Sequence, residues 1–225
     1  MIVYPDRAIE RRLLSQLHQA AVGNPKTPQF LAGVDEVGRG ALAGPASVGI
    51  ALIDAHTSDE FPQGLRDSKM MTPKARAEIV PQVRQWVRAY AVGHAPASDV
   101  NRYGIIGALR AAAGRALEQL ADFPIGMVLL DGVHDWWTSD ELPIGPQLPA
   151  IPVVTQVKAD AQCAVVAAAS VLAKVARDNL MIEMASHYPG YDWERNKGYS
   201  SARHIAGLRE LGPSAEHRTA WKLPS

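Results

Sequence analysis

Between residues 6 and 22, Ile9, Leu13, Leu14 and Leu17 recur at helical spacing with Arg and Gln between them, which predicts an amphipathic lead-in helix closed by Gly23-Asn24-Pro25. Two apolar runs follow, Phe30 to Val34 and Ala46 to Ile53, separated by a glycine-rich stretch. Their length and β-branching predict two strands joined through a tight turn. Thr72-Pro73 supplies an N-cap and a first-turn proline ahead of Ile79, Val83 and Val87, so a helix starts there, with Pro81 straining its middle. Tyr90 to His94 reads as a third strand. Ser98 is expected to cap a helix running through Ala108, Leu109, Ala112, Ala116, Leu117 and Leu120 into the buried strand Met127 to Asp131, an order that favours parallel pairing.

From His134 to Pro152, Trp136, Trp137 and the prolines predict an irregular loop, in which the tryptophan pair covers a core edge or offers a stacking platform for bases. Ile151 to Val157 is a fifth strand. Gln162 to Ala185 is a long helix whose alanines let it lie close against a sheet, and Ala202 to Leu211 is a last helix stopped by Gly212-Pro213. Five strands interleaved with helices predict an α/β fold on a mixed sheet, with residues 1–29 as a lead-in helix and linker and residues 30–225 as one domain.

Composition changes this picture little. At 225 residues with 47% hydrophobic and 20% charged, the chain can bury a full core, which argues against disorder and fibrous repeats. Its 23 basic and 23 acidic residues give no global basic signature of a nucleic-acid binder, although an enzyme that gathers carboxylates around cations needs none. Cys163 is the only cysteine, so no intrachain disulfide forms. With no apolar signal run at the N-terminus and no stretch of membrane-spanning length, a cytoplasmic protein without membrane contact is expected.

The candidate chemistry begins at Gly33-Val34-Asp35-Glu36-Val37-Gly38-Arg39-Gly40-Ala41-Leu42-Ala43-Gly44-Pro45. Neighbouring strand residues face opposite sides, so Asp35 and Glu36 share a site only where the strand ends or bends. Clustered carboxylates repel one another unless a cation neutralises them, which suggests a Mg²⁺ or Mn²⁺ site; solvated loop acids are the plainer alternative. Gly38-Arg39-Gly40 is either a simple turn or a backbone surface open to a sugar hydroxyl, and its glycine spacing does not match a dinucleotide fingerprint. Asp131 ends the strongest strand, where open α/β sheets place ligands. Asp160 precedes the alanine-rich helix, as an N-terminal cap or as a fourth acid. Histidines 134, 187, 204 and 217 show no metal-ligand spacing, and none is assigned chemistry.

These segments, together with Asp67-Ser68-Lys69, Leu130-Asp131-Gly132, Lys158-Ala159-Asp160, Ala167 through Asp178, Lys197-Gly198-Tyr199 and His217-Arg218, resemble in order the motifs of the ribonuclease HII family from about residue 30 onward. The resemblance implies a ribonuclease H-like fold with a five-stranded mixed sheet flanked by helices. It also implies an acidic metal-binding and catalytic set of Asp35, Glu36, Asp131 and Asp160, using two Mn²⁺ or Mg²⁺ ions. Gly38, Arg39, Gly40 and Tyr199 would sense the ribonucleotide 2′-hydroxyl. By their charge, Lys69, Lys174, Arg177, Lys197 and Arg203 are candidates for phosphate contacts or plain solvated surface, with Lys174 or Arg177 alternatively anchoring the helix. The expected partner is an RNA–DNA hybrid or a DNA duplex with embedded ribonucleotides, met by a monomer.

The chain departs from the family pattern at Thr219-Ala220-Trp221, where Ser-Phe often follows His-Arg, and at Gly104-Ile105, where Asn-Ile is common. Ser225 follows His217-Arg218 closely, so a C-terminal helical extension found in some members is expected to be missing, with a weaker grip on duplex. Rival readings are another nuclease on the same fold, such as a type I ribonuclease H or a junction resolvase, and a non-catalytic nucleic-acid binder.

Overall fold

The structure is a computed structural model that describes residues 4–22, 29–138 and 145–224. Its centre is a five-stranded sheet in the order β3-β2-β1-β4-β5, built from β1 (Phe30–Val37), β2 (Ala46–Ile53), β3 (Ala89–Ala95), β4 (Ile125–Asp131) and β5 (Val153–Gln156). β1 to β3 form antiparallel pairs, whereas β4 runs parallel to both β1 and β5, so the sheet is mixed.

Alternation along the strands decides which helix covers which face. Leu31, Ala51, Ile53 and Leu129 point toward α1 (Ala8–Ala21), α2 (Pro73–Trp86) and α5 (Ala164–His187). Ala32, Val34, Val48, Ile50, Leu52, Val128 and Leu130 point toward α3 (Ala97–Gln119) and the paired Trp136 and Trp137. Leu31, Ile50, Leu52, Ile53, Leu129 and Leu130 lose essentially all contact with water, and each such side chain contributes roughly 2 kcal/mol of hydrophobic stabilisation.

The small residues of α5 meet glycines of the sheet. A Cβ on Gly33 would lie 2.7 Å from the Val165 backbone, and one on Gly49 would lie 2.5 Å from the Ala169 carbonyl oxygen. Helix and sheet therefore approach at backbone distance, which places the N-terminal half of α5 directly over the middles of β1 and β2.

The lead-in helix joins the same core through Leu13, Leu14 and Leu17. Its Glu10 is buried and accepts the Val165 N–H and the Arg7 Nε–H, both at 2.7 Å, so a charged pair satisfies one of the free amides at the start of α5.

Several elements differ from the expectation. β1 continues to Val37, and residues 38–45 form a longer connection than a tight turn. α2 runs through Pro81, which costs one backbone hydrogen bond on an exposed face. Helix α3 begins at Ala97, so Ser98 lies inside its first turn and does not cap it, and Gly104 at φ +70° kinks the helix. The long helix is preceded by a separate turn, α4 (Ala159–Gln162), because Cys163 is extended at φ −116° and ψ 122°. A short α6 (Trp193–Asn196) was not anticipated, whereas α7 (Ala202–Leu211) matches its expected bounds and has Ser201 as N-cap. Part of the predicted loop, residues 139–144, lies outside the described residues; Trp136 and Trp137 are buried, so they cover a core edge.

Candidate active site

β1 and β4 are adjacent and parallel with Val34 opposite Leu130, so Asp35 and Asp131, each the next residue, end two neighbouring strands on the α5-facing side. Glu36 points to the other face but lies at the strand end, where the chain turns at Gly38. All three acids line one cavity of about 420 Å³, together with Gly38, Arg39, Gly40, Ser68, Lys69, Lys174 and Tyr199. Asp160 does not line it. It is buried in α4 behind Lys69, whose ammonium lies 3.1 Å from Asp160 Oδ2.

The acids strain one another electrostatically. Burial, reinforced by the charges of Glu36 and Asp131, pushes Asp35 well above the ordinary carboxyl range, offset in part by Ser170 and Lys69. Burial and Asp160 raise Asp131, against the amides of Ala159 and Asp160; the Ala159 N–H donates to Asp131 Oδ1 at 2.7 Å. Asp67 is raised by burial and by Asp160 while its Oδ1 accepts the Lys69 N–H at 2.8 Å, which caps the 3-10 turn Ser68–Met70. Burial works against the Lys69 ammonium, yet Asp35, Asp160 and Asp67 outweigh it and hold its pKa up. Excess negative charge therefore collects at one end of the sheet.

The donor set suits a hard divalent cation. It is all carboxylate oxygen, and among the described residues nothing hydrogen-bonds the buried Glu36 Oε2, an orphaned acceptor of the kind that a cation satisfies. Among the described residues, no three carboxylate, His or Cys side chains are already drawn together as a metal cage. The acids are instead held separately: Glu36 Oε1 by Arg39 Nη1 at 3.2 Å, Asp131 by the Ala159 amide and Asp160 by Lys69.

The Gly38-Arg39-Gly40 segment is tied to Tyr199, whose hydroxyl accepts the Gly38 N–H at 3.1 Å. Gly38 has φ +81°, and a Cβ there would lie 2.1 Å from Arg177 Nε, so both backbone and packing demand glycine. A Cβ on Gly40 would meet nothing within 4 Å among the described residues, which leaves its backbone open to a ligand. The Leu42 and Ala43 amides donate to the Gly198 carbonyl, and Arg218 donates to the carbonyls of Arg39 and Gly44. The chain from Gly198 onward thus secures the first loop of the site.

The expected phosphate contacts divide. Lys69 and Lys174 line the cavity, Lys174 with its ammonium 2.6 Å from Asp178 and 5.9 Å from the Tyr199 ring centre. Arg177 takes the anchoring alternative: it is fully buried and donates to the carbonyls of Pro45 at 2.8 Å, Lys197 at 2.9 Å and Ala43 at 3.3 Å, so no phosphate reaches it. Lys197 turns onto the Glu194 carbonyl. Arg203 lies in a separate cleft with Asp192, Glu194 and Glu210. Reading the residues alone missed Ser170, which eases Asp35, and left Arg218 without a role; a His-Arg pair so far along the chain was the available signal for the latter.

A family model described as ribonuclease HII matches residues 32–223. A ribonuclease HII of Streptomyces griseus is 44% identical over 222 residues, covering 96% of this chain and 84% of the relative. The ribonuclease H2 of Pyrococcus horikoshii superposes with a TM-score of 0.64 at 23% identity, covering 87% of this chain and 95% of that one, a likeness of fold. Bst-RNase HIII, crystallised in complex with Mn²⁺, superposes with a TM-score of 0.56 at 20% identity over 81% of this chain and 63% of its own. No helix among the described residues is long and apolar enough to cross a membrane. A family match over residues 32–223, beside a relative this similar over nearly the whole length, places the chain in the ribonuclease HII family, the divalent-metal-dependent type II ribonucleases H that cut RNA internally within RNA–DNA hybrids.

Proposed function

We propose that this protein cuts the RNA-containing strand of RNA–DNA hybrids, and duplex DNA at embedded ribonucleotides, on the 5′ side of the ribonucleotide, leaving 3′-hydroxyl and 5′-phosphate ends. The observation that carries the reading is the pairing of Asp35 and Asp131 at aligned ends of parallel strands, both with raised pKa, beside the orphaned oxygen of Glu36. Asp35, Glu36, Asp131 and Asp160 would hold two divalent ions, Mn²⁺ or Mg²⁺. When bound, such ions supply positive charge to the attacking and leaving oxygens of an in-line displacement at phosphorus. A solved neighbour that carries Mn²⁺ on the same fold supports that choice of ion class.

The chain's own groups do the positioning. Lys69 lies between Asp160 and the cavity mouth, where its charge meets a phosphate without reading sequence. The open backbone at Gly40 and the ring of Tyr199, 36% exposed at the cavity wall, face a sugar at the RNA–DNA junction, and Arg39 swings from Glu36 to the backbone of the bound strand. Residues 30–225 act as one catalytic domain, residues 1–29 lead into it, and the protein works as a monomer in the cytoplasm.

The test is cleavage of a duplex carrying one ribonucleotide, with Mg²⁺ or Mn²⁺, by Asp35→Asn and Asp131→Asn. Both are expected to lose cutting while keeping substrate affinity. Near-parent rates in both would remove the site assignment, and an intact parent enzyme that spares the single ribonucleotide but cuts continuous hybrid would return the reading to a type I activity.

A further inference from the structure

Two histidines outside the acidic site are wholly buried beneath the Tyr199 loop: His204 on α7 and His217 in the segment that follows it. Their surroundings fix where each proton sits. The Ser214 N–H donates to His217 Nδ1 at 2.9 Å, so that nitrogen is an acceptor and the His217 proton is on Nε2. His217 Nε2 faces His204 Nε2 at 3.0 Å, and the Trp193 indole N–H donates to the same His204 nitrogen at 3.1 Å. His204 Nε2 therefore accepts, and its own proton lies on Nδ1, 2.9 Å from the carbonyl oxygen of Tyr199.

The chain of donors runs one way, from Ser214 through His217 and His204 to Tyr199. The Tyr199 carbonyl is held by His204 and by the Ser201 N–H at 2.9 Å, while its hydroxyl accepts from Gly38. Packing holds the rings themselves: Tyr191 lies 4.7 Å edge-on from His217, and Trp193 lies 5.3 Å from it. Burial lowers the pKa of both imidazoles, the direction the one-way chain requires, because a proton added to His204 Nε2 would set it against two donors.

We infer that the His217–His204 pair is a positioning device for Tyr199, orienting its backbone so that the ring faces the sugar at the ribonucleotide junction. Neither imidazole touches substrate. The inference rests on the reading above that Tyr199 meets that sugar, and it goes further by assigning specificity to two side chains far from the acids in sequence.

The experiment is a double-mutant cycle on the full-length protein, comparing kcat/KM on a duplex with one embedded ribonucleotide and on a continuous RNA–DNA hybrid. His204→Phe keeps a ring and removes all three side-chain hydrogen bonds, to Tyr199, His217 and Trp193; His204→Asn keeps an amide N–H near the position of Nδ1. We expect His204→Phe to lose at least about tenfold more on the single ribonucleotide than on the hybrid, His204→Asn to recover most of it, and His204→Phe to cost nothing further in a Tyr199→Ala background. If His204→Phe does not fold, as thermal melting would show, His217→Phe takes its place in the same cycle. Equal losses with Tyr199 and with Ala at position 199 overturn the inference alone. Unchanged single-ribonucleotide cutting by Tyr199→Ala overturns the reading of Tyr199 itself, and the inference with it.

Discussion

Replacing Arg177 by Met separates an internal anchor from a phosphate contact. The guanidinium is fully buried, and burial lowers its pKa, yet it reaches three backbone carbonyls at 2.8, 2.9 and 3.3 Å, on Pro45, Lys197 and Ala43. Those carbonyls belong to the two loops that carry Gly38 and Tyr199, so one side chain joins both walls of the cavity. Methionine fills much of the volume but leaves three buried acceptors unpaired, each costing roughly 1–3 kcal/mol, less whatever the loops recover by relaxing. We take about 4 kcal/mol as the net loss, which for a protein of this size lowers Tm by about 10 °C. Differential scanning calorimetry reads that shift. Duplex affinity measured without divalent ions over a salt series, at a temperature where both proteins are folded, reads the charge: losing a phosphate contact flattens log Kd against log salt by about 0.9, whereas losing an internal anchor leaves the slope alone. A variant with parent-like Tm and a flattened slope would refute the anchor.

Three other outcomes follow from the same geometry. Asp35→Asn should melt at higher temperature than the parent in the absence of metal, because the buried acid is held against its own desolvation and against the charges of Glu36 and Asp131; a lower melting temperature would mean that the carboxylate is net stabilising. Gly38→Ala should cost at least about 2 kcal/mol by chemical denaturation, from its positive φ and its collision with Arg177, whereas Gly40→Ala should leave stability unchanged and lower only cutting; equal stability losses would contradict the open space at Gly40. Burial, with His204 second, depresses His217 from 6.5 to about 4, so below pH 6.5 the unfolded chain takes up a proton that the folded chain refuses. Stability is complete above pH 6.5 and falls toward pH 4 by about 3 kcal/mol from this group, and His217→Phe should flatten that part of a pH series of denaturation midpoints.

How far the sequence could be read depended on the range of the forces involved. β2 and α7 have the bounds expected, because a nearly continuous apolar run and a Ser201 cap with a terminal glycine are local signals. The single long helix was expected to start at Gln162, but Cys163 is extended, since Asp6 pairs with it in a bridge and exchanges backbone hydrogen bonds with Gln162 and Ala164. A partner more than 150 residues away leaves no periodic trace. The Ser98 cap failed for a local reason, because Pro96 takes the N-cap position and starts the helix two residues earlier.

By itself the sequence determined the strand and helix alternation and the family, and it singled out the candidate acids, since hydrophobic period and motif order are properties of the chain alone. Only the tertiary structure decided that Asp35 and Asp131 end parallel neighbours on one face, that Asp160 stands behind Lys69, that Arg177 is an anchor, and that two histidines hold Tyr199. The physical reason is that charge, burial and hydrogen-bond direction act between groups that touch in space, and in this fold the decisive contacts join residues far apart along the chain.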